Sequence, residues 1–196
     1  MHITAYLSIG STYTFLTALR LRDVIEQHGV TLDFRPFSVR AIMQEMNNIP
    51  FPPEKQAKVR YMWRDIERRA AGYGLPVPSV PAPYPLKDFD RANHVGIIAD
   101  QQGWYLDYFE ATYRAWFLDG LAAGSAENLR QVCDALGRPF DAVLAAAEAP
   151  QTDEDYRANT AAAKAAGVFG APSFVVGQEL FWGDDRLEDA IAFSQS

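Results

Sequence analysis

The chain of 196 residues has very little cysteine: Cys133 stands alone. That scarcity excludes an intrachain disulfide, a cysteine-rich metal site and a Cys-x-x-Cys redox pair. Histidine is almost as scarce. His2, His28 and His94 are scattered, and none has a ligand spacing such as His-Glu-x-x-His, so no metal site is expected. There is no glycine-rich phosphate loop and no Gly-x-Ser-x-Gly elbow, so phosphate cradling and triad hydrolysis lack their sequence support. Positive charge is also short, with 18 Lys and Arg against 25 Asp and Glu, a net charge of −7. A nucleic-acid binder would show a basic face instead. No apolar run is long enough for a membrane span, and the uncharged stretch 71–86 is broken by five prolines. The N-terminus lacks the basic and apolar regions of a signal peptide, so a reducing cytoplasm is the expected compartment.

What is present is core-forming material: 48% of residues are hydrophobic and 13% aromatic. That suits one large domain or a domain carrying an insertion. Residues 3–7 read as a short strand. The small-residue turn Ser8-Ile9-Gly10-Ser11-Thr12 follows, then a helix over 13–28 with Phe15, Leu16, Leu19 and Val24 at helical spacing, stopped by Gly29. Residues 32–37 form the next strand, interrupted by Pro36. A β-turn-α-β unit of this kind implies parallel pairing and a right-handed crossover. From Val39 to about Asn159 the periodicity is helical, over 41–46, 54–71, 86–101, 104–118, 125–136, 141–147 and 152–166. Phe51-Pro52-Pro53 punctuates this region, Thr152 with Asp155 makes a candidate cap, and Gly167 a stop. The proline-rich stretch 74–85 is expected to be extended. The aromatic stripe Tyr105, Tyr108, Phe109, Tyr113, Trp116 and Phe117 suits a core or a subunit interface.

The end of the chain returns to strand patterning. Ala171-Pro172 precedes a hairpin over 173–176 and 179–182, and Gly183-Asp184-Asp185 opens a helix. A cis Pro172 would turn the backbone of Ala171 outward to pair with an extended ligand, whereas a trans proline would merely start an edge strand. Ser11 lies where the first strand ends and the first helix begins, the usual ligand position in open α/β sheets. Its hydroxyl suits either a helix cap or an anion held at the helix N-terminus. Asp184 and Asp185 are ordinary first-turn charges on local grounds. Lys55 and Lys58, beside the Asn47-Asn48 loop, are candidates for a carboxylated ligand. Tyr84 suits either a pocket wall or surface packing.

The order β-α-β, helical insertion, Pro-β-β-α is that of an α/β thioredoxin-like fold with a large all-helical insertion. Residues 1–38 plus 160–196 would form the thioredoxin-like domain and residues 39–159 the inserted helical domain. Ser11-Thr12-Tyr13-Thr14 replaces the Cys-x-x-Cys of redox relatives, so dithiol–disulfide exchange is excluded.

Several motifs in the same order resemble the DsbA-like branch of 2-hydroxychromene-2-carboxylate isomerases and kappa-class glutathione transferases. They are Ser11-x-Tyr13, Asn47-Asn48-Ile49-Pro50-Phe51, the run Tyr61 through Ala70, Gly74-Leu75-Pro76, Gly167 through Phe174, and Phe181-Trp182-Gly183-Asp184-Asp185-Arg186. Thr12 departs from the pattern, where proline is common. The resemblance implies glutathione as cofactor, with Ser11 donating to its sulfur. Ala171 before Pro172 would pair with the cysteinyl part, and Trp182, Gly183, Asp184 and Asp185 would take the γ-glutamyl end. Asn48 would touch the bound ligand, and Asn48, Tyr84, Lys55 and Lys58 are candidates for the substrate carboxylate. The implied reaction is a cis–trans isomerisation of a small aromatic substrate, of the kind met in aromatic hydrocarbon catabolism, through a transient glutathione adduct. A homodimer is expected from the resemblance. A conjugating kappa-type transferase and a cysteine-less peptide-binding module are the alternatives.

Overall fold

The computed structural model describes residues 2–48 and 54–196; the Phe51-Pro52-Pro53 punctuation and the Ile49-Pro50-Phe51 part of the asparagine motif lie outside them. Strand β1, Ile3–Leu7, leads to helix α1, Thr14–His28, and strand β2, Leu32–Pro36. β2 lies parallel to β1, with Ile3 opposite Leu32 and Leu7 opposite Pro36. Phe37 was expected inside this strand. It lies just beyond it, although its N–H still donates to Leu7 O at 3.2 Å.

The far end of the chain completes the sheet. β3, Ser173–Val176, runs antiparallel to β1, and β4, Glu179–Trp182, pairs with β3, giving the order β2-β1-β3-β4. A 3₁₀ turn, Asp184–Arg186, then enters the terminal helix α9, Leu187–Gln195. Alternation along the strands sorts side chains between two cores. Ile3, Ala5, Leu7, Phe174 and Val176 join a large cluster with residues of α1 and α9, while Tyr6 joins Phe37, Ile42, Ala163 and Val168 on the other face.

Between the sheet's halves lie α2 Val39–Glu45, α3 Gln56–Gly72, α4 Phe89–Gln101, α5 Tyr105–Phe117, α6 Ala126–Ala135, α7 Phe140–Ala147 and α8 Pro150–Ala165. The aromatic stripe on α5 faces inward. Tyr108, Phe109, Tyr113, Trp116 and Phe117 are all buried, and Phe117 stacks on Phe15 of α1 at 4.4 Å between centroids. Each such ring contributes roughly 1.5–3 kcal/mol by leaving water. The stripe is therefore core, and a subunit interface draws no support from it. Residues 74–88 carry no helix or strand.

Two local expectations need comment. Thr152 does not cap α8: the helix starts at Pro150, whose fixed φ suits the first helical position, and Thr152 Oγ1 donates to Ala146 O at 2.7 Å. The division drawn between residues 159 and 160 falls within α8, a helix that packs on both α4 and β2.

Candidate functional site

The turn after β1 and the loop before β3 come together because β1 and β3 are neighbours in the sheet. Ser11 Oγ donates to the carbonyl oxygen of Ala171 at 2.8 Å, across 160 positions of sequence. The Ala171–Pro172 peptide bond is cis. Tyr13 occupies the N-cap position of α1 and no side chain caps the helix, while the hydroxyl of Ser11 points across the site to Ala171 and not back into its own helix. The capping alternative for Ser11 is thereby removed. Thr12 is buried and donates to Met62 Sδ at 3.0 Å. Tyr13 Oη donates to Asp65 Oδ2 at 3.1 Å, and burial raises its pKa, so the phenol stays protonated.

Two residues of the helical insertion hold the Ser11 turn. Asn93 of α4 accepts from Ile9 N–H at 2.8 Å and donates to Ile9 O and Phe89 O, each at 2.8 Å. Tyr113 of α5 donates to Ser11 O at 2.9 Å. The sequence reading places Tyr113 only in the aromatic stripe and gives Asn93 no role. A lone asparagine within the apolar run of α4 was the available signal, since buried amides are retained where they complete backbone hydrogen bonds.

The segment 182–185 closes the other side. Gly183 N–H donates to Pro172 O at 3.0 Å, with φ at 123°, a conformation glycine alone adopts readily. Trp182 is about half exposed and packs edge-on against Phe169, 4.9 Å between centroids. Its indole lies so close to Gly170 that a Cβ there would meet Nε1 at 2.3 Å. The paired aspartates divide. Asp184 is 2% exposed, so it is no ordinary first-turn charge. Arg69 Nη2 lies 2.8 Å from its Oδ2, but that oxygen has no hydrogen-bond partner because the approach is off-axis. Burial raises the Asp184 carboxyl to about 6, with Arg69 opposing. Asp185 is exposed and faces Arg186 at 3.2 Å.

Beside Gly10 a cleft of about 1170 Å³ opens between α2, α3 and the segment before α4. Asn48 and Tyr84 line it. Lys55 and Lys58 are exposed and do not; that stretch contributes Gln56, Val59 and Arg60 instead. Arg40 and Lys87 also line the cleft, so it is cationic, with no carboxylate among the described lining residues. Arg40 is fixed by donation to Leu86 O at 3.1 Å and by the face of Phe89, 3.7 Å from its guanidinium carbon. Arg40, Arg60 and Lys87 were missed in the sequence because each reads as a solvated charge. Burial raises the Tyr84 pKa, keeping its hydroxyl a donor. Among the described residues, no cluster of three or more His, Cys, Asp or Glu is placed to hold a metal ion. No helix among them is long and apolar enough to cross a membrane.

Comparison with known proteins agrees with the resemblance drawn from the motifs. Residues 2–191 match the profile of the DSBA-like thioredoxin domain. A 2-hydroxychromene-2-carboxylate isomerase from Sphingobium xenophagum is 29% identical over 187 residues, covering 95% of this chain and 94% of the relative. Its counterpart from Pseudomonas putida is 24% identical, covering 95% and 91%. A solved structure of a 2-hydroxychromene-2-carboxylate isomerase superposes with a TM-score of 0.86 at 23% identity, covering 100% of this chain and 95% of that one, which is agreement in fold.

Proposed function

The chain belongs to the family of DSBA-like thioredoxin domains, and on that premise we propose that it is a glutathione-dependent cis–trans isomerase of 2-hydroxychromene-2-carboxylate-type compounds, yielding trans-o-hydroxybenzylidenepyruvate-type products. The observation that carries this reading is the Ser11 hydroxyl, directed at the carbonyl before cis Pro172 in a turn that has no cysteine. The full-length isomerase relatives support it.

The residues present fit a tripeptide thiol. A hydroxyl donor and a backbone carbonyl stand 2.8 Å apart at the centre, and an exposed carboxylate, Asp185, lies at one end. When bound, glutathione would supply a sulfur nucleophile for reversible addition to the substrate, the chemistry that a cis–trans isomerisation with ring opening needs. The protein's own groups bind and orient. Ala171 O and the Ser11 hydroxyl would hold the cysteinyl part of the ligand, with the Ser11 Oγ–H, which donates to Ala171 O in this structure, available to donate to sulfur instead. A hydrogen bond to the charged form lowers a pKa, so Ser11 favours thiolate near neutral pH. Trp182 flanks the γ-glutamyl end, Gly183 lets the backbone approach it, and Asp185 suits its ammonium. Asp184 holds Arg69 in place beneath that end. The cleft receives the substrate: Arg40, Arg60 and Lys87 attract its carboxylate, Asn48 and Tyr84 orient it, and Phe89 and Leu86 cover the rings. A chain with one buried cysteine suits a reducing compartment, which makes the cytoplasm the proposed location.

Calorimetric titration with glutathione, paired with a spectrophotometric assay on 2-hydroxychromene-2-carboxylate, tests this reading. Saturable binding and glutathione-dependent appearance of the trans product are expected. Absence of binding at millimolar glutathione would contradict it, as would a stable conjugate with chlorodinitrobenzene and no isomerisation.

A further inference from the structure

One helix, α3, touches the cleft, the Ser11 turn and the segment 182–185. Its first turns present Gln56, Val59 and Arg60 to the cleft. Further along, Met62 Sδ accepts from Thr12 Oγ1 at 3.0 Å and Asp65 Oδ2 accepts from Tyr13 Oη at 3.1 Å, so both hold the turn that carries Ser11. One turn later Arg69 Nη2 lies 2.8 Å from Asp184 Oδ2. Met62, Asp65 and Arg69 fall at i, i+3 and i+7, along one face of the helix. A helix rises about 1.5 Å per residue, so Arg60 and Arg69 stand about 13 Å apart along one continuous element.

The Arg69 contact is close but incomplete. Asp184 Oδ2 is shut away from solvent, and among the described residues no group donates to it. Arg69 Nη2 donates to the Tyr73 hydroxyl at 3.3 Å, so its aligned partner in this structure is on its own helix. A buried acceptor without a donor carries its full desolvation cost. A small shift between α3 and segment 182–185 that brings the guanidinium N–H into line removes that cost. A ligand seated on the segment would hold it there.

We propose that Arg69 is a positioning residue that links the two sites: a ligand on segment 182–185 aligns the Arg69–Asp184 pair, α3 takes up one position, and Arg60 is set for the substrate carboxylate, so that glutathione and an aromatic carboxylate bind more tightly together than apart. This inference rests on the isomerase reading for what occupies each site. Such coupling is reciprocal, since each ligand changes the affinity for the other by the same factor.

The test titrates 2-naphthoate, an aromatic carboxylate with no centre for thiol addition, with and without saturating glutathione, following tryptophan fluorescence. In the native protein the Kd for 2-naphthoate should fall about fivefold when glutathione is present, and the Kd for glutathione should fall by the same factor under saturating 2-naphthoate. In Arg69→Gln each ligand should still bind alone, while the factor collapses toward one. Arg69→Lys, which keeps a cation beside Asp184, should recover part of it. Tyr13→Phe, which cuts the tie to Asp65, should also lower the factor, and it carries the test if Arg69→Gln does not fold. A merely structural Arg69 would weaken both ligands and leave the factor unchanged, which overturns the inference. Equal or weaker 2-naphthoate binding in the presence of glutathione overturns it too. Turnover of a hydroxychromene carboxylate without coupling sinks the role of Arg69 and leaves the isomerase reading standing. Coupling without turnover sinks the isomerase reading and leaves the link between the sites. No binding of glutathione at millimolar concentration overturns both.

Discussion

At the scale of single residues, Ser11 and Asp184 show how far local identity goes. Serine at the start of a helix is most simply a cap, and only its contact with Ala171 across the sheet shows otherwise. Asp184 looks like a solvated charge until burial is known. Burial raises its carboxyl from the ordinary value near 4 to about 6. Folding therefore takes up a proton at Asp184 between those values. Its contribution to stability is fully present below about pH 4, falls as pH rises to about 6, and is level above. In Asp184→Asn this fall should disappear. Urea midpoints of the two proteins, compared from pH 4 to 7, should diverge in that window, with native stability dropping relative to the variant as pH rises. Parallel curves would show that the carboxyl titrates normally.

At the scale of elements, the strands and helices were legible because their local patterns are. β1 and β3 read as strands because they are short β-rich apolar runs bounded by turn residues, and the 3.6-residue stripes of α1 and α5 mark helices. The cleft was less legible. Lys55 and Lys58 were candidates by proximity to Asn48, yet α3 turns Gln56, Val59 and Arg60 toward the cleft, an i, i+3, i+4 face that leaves out both lysines. Arg40 sits on the short helix α2, where charge spacing says nothing about which neighbour it will meet. Asn93 and Tyr113 act through backbone atoms far away in sequence, so the residues themselves are visible in the sequence but their partners are not. Their role nonetheless gives a sharp expectation, because Asn93 alone completes both the N–H and the C=O of Ile9. Asn93→Leu, which leaves those groups without a side-chain partner, should cost about 2–4 kcal/mol. The denaturant midpoint measures this, and a loss under about 0.5 kcal/mol would mean that the Ser11 turn does not depend on α4.

At the scale of the whole molecule, the fold brings the first and last segments into one sheet and packs the helical insertion against α1 and β2. An acidic chain of net charge −7 nonetheless presents a cleft lined by Arg40, Arg60 and Lys87. That contrast favours an anionic small molecule over a nucleic acid, because attraction comes from the cleft and not from the surface at large. Beside the cleft the Ser11 turn carries a hydroxyl and no cysteine, so under the proposed function the reactive sulfur comes with the ligand. The account depends on Ser11 making that sulfur a thiolate, and the thiol pKa of protein-bound glutathione, read from ultraviolet thiolate absorbance, tests this most directly. In the native protein it should lie roughly one to two units below the value of about 8.5 for an unperturbed thiol. In Ser11→Ala it should return toward that value, while glutathione still binds because Ala171 O remains available. A bound thiol that titrates at the same pH with and without the Ser11 hydroxyl would contradict the account.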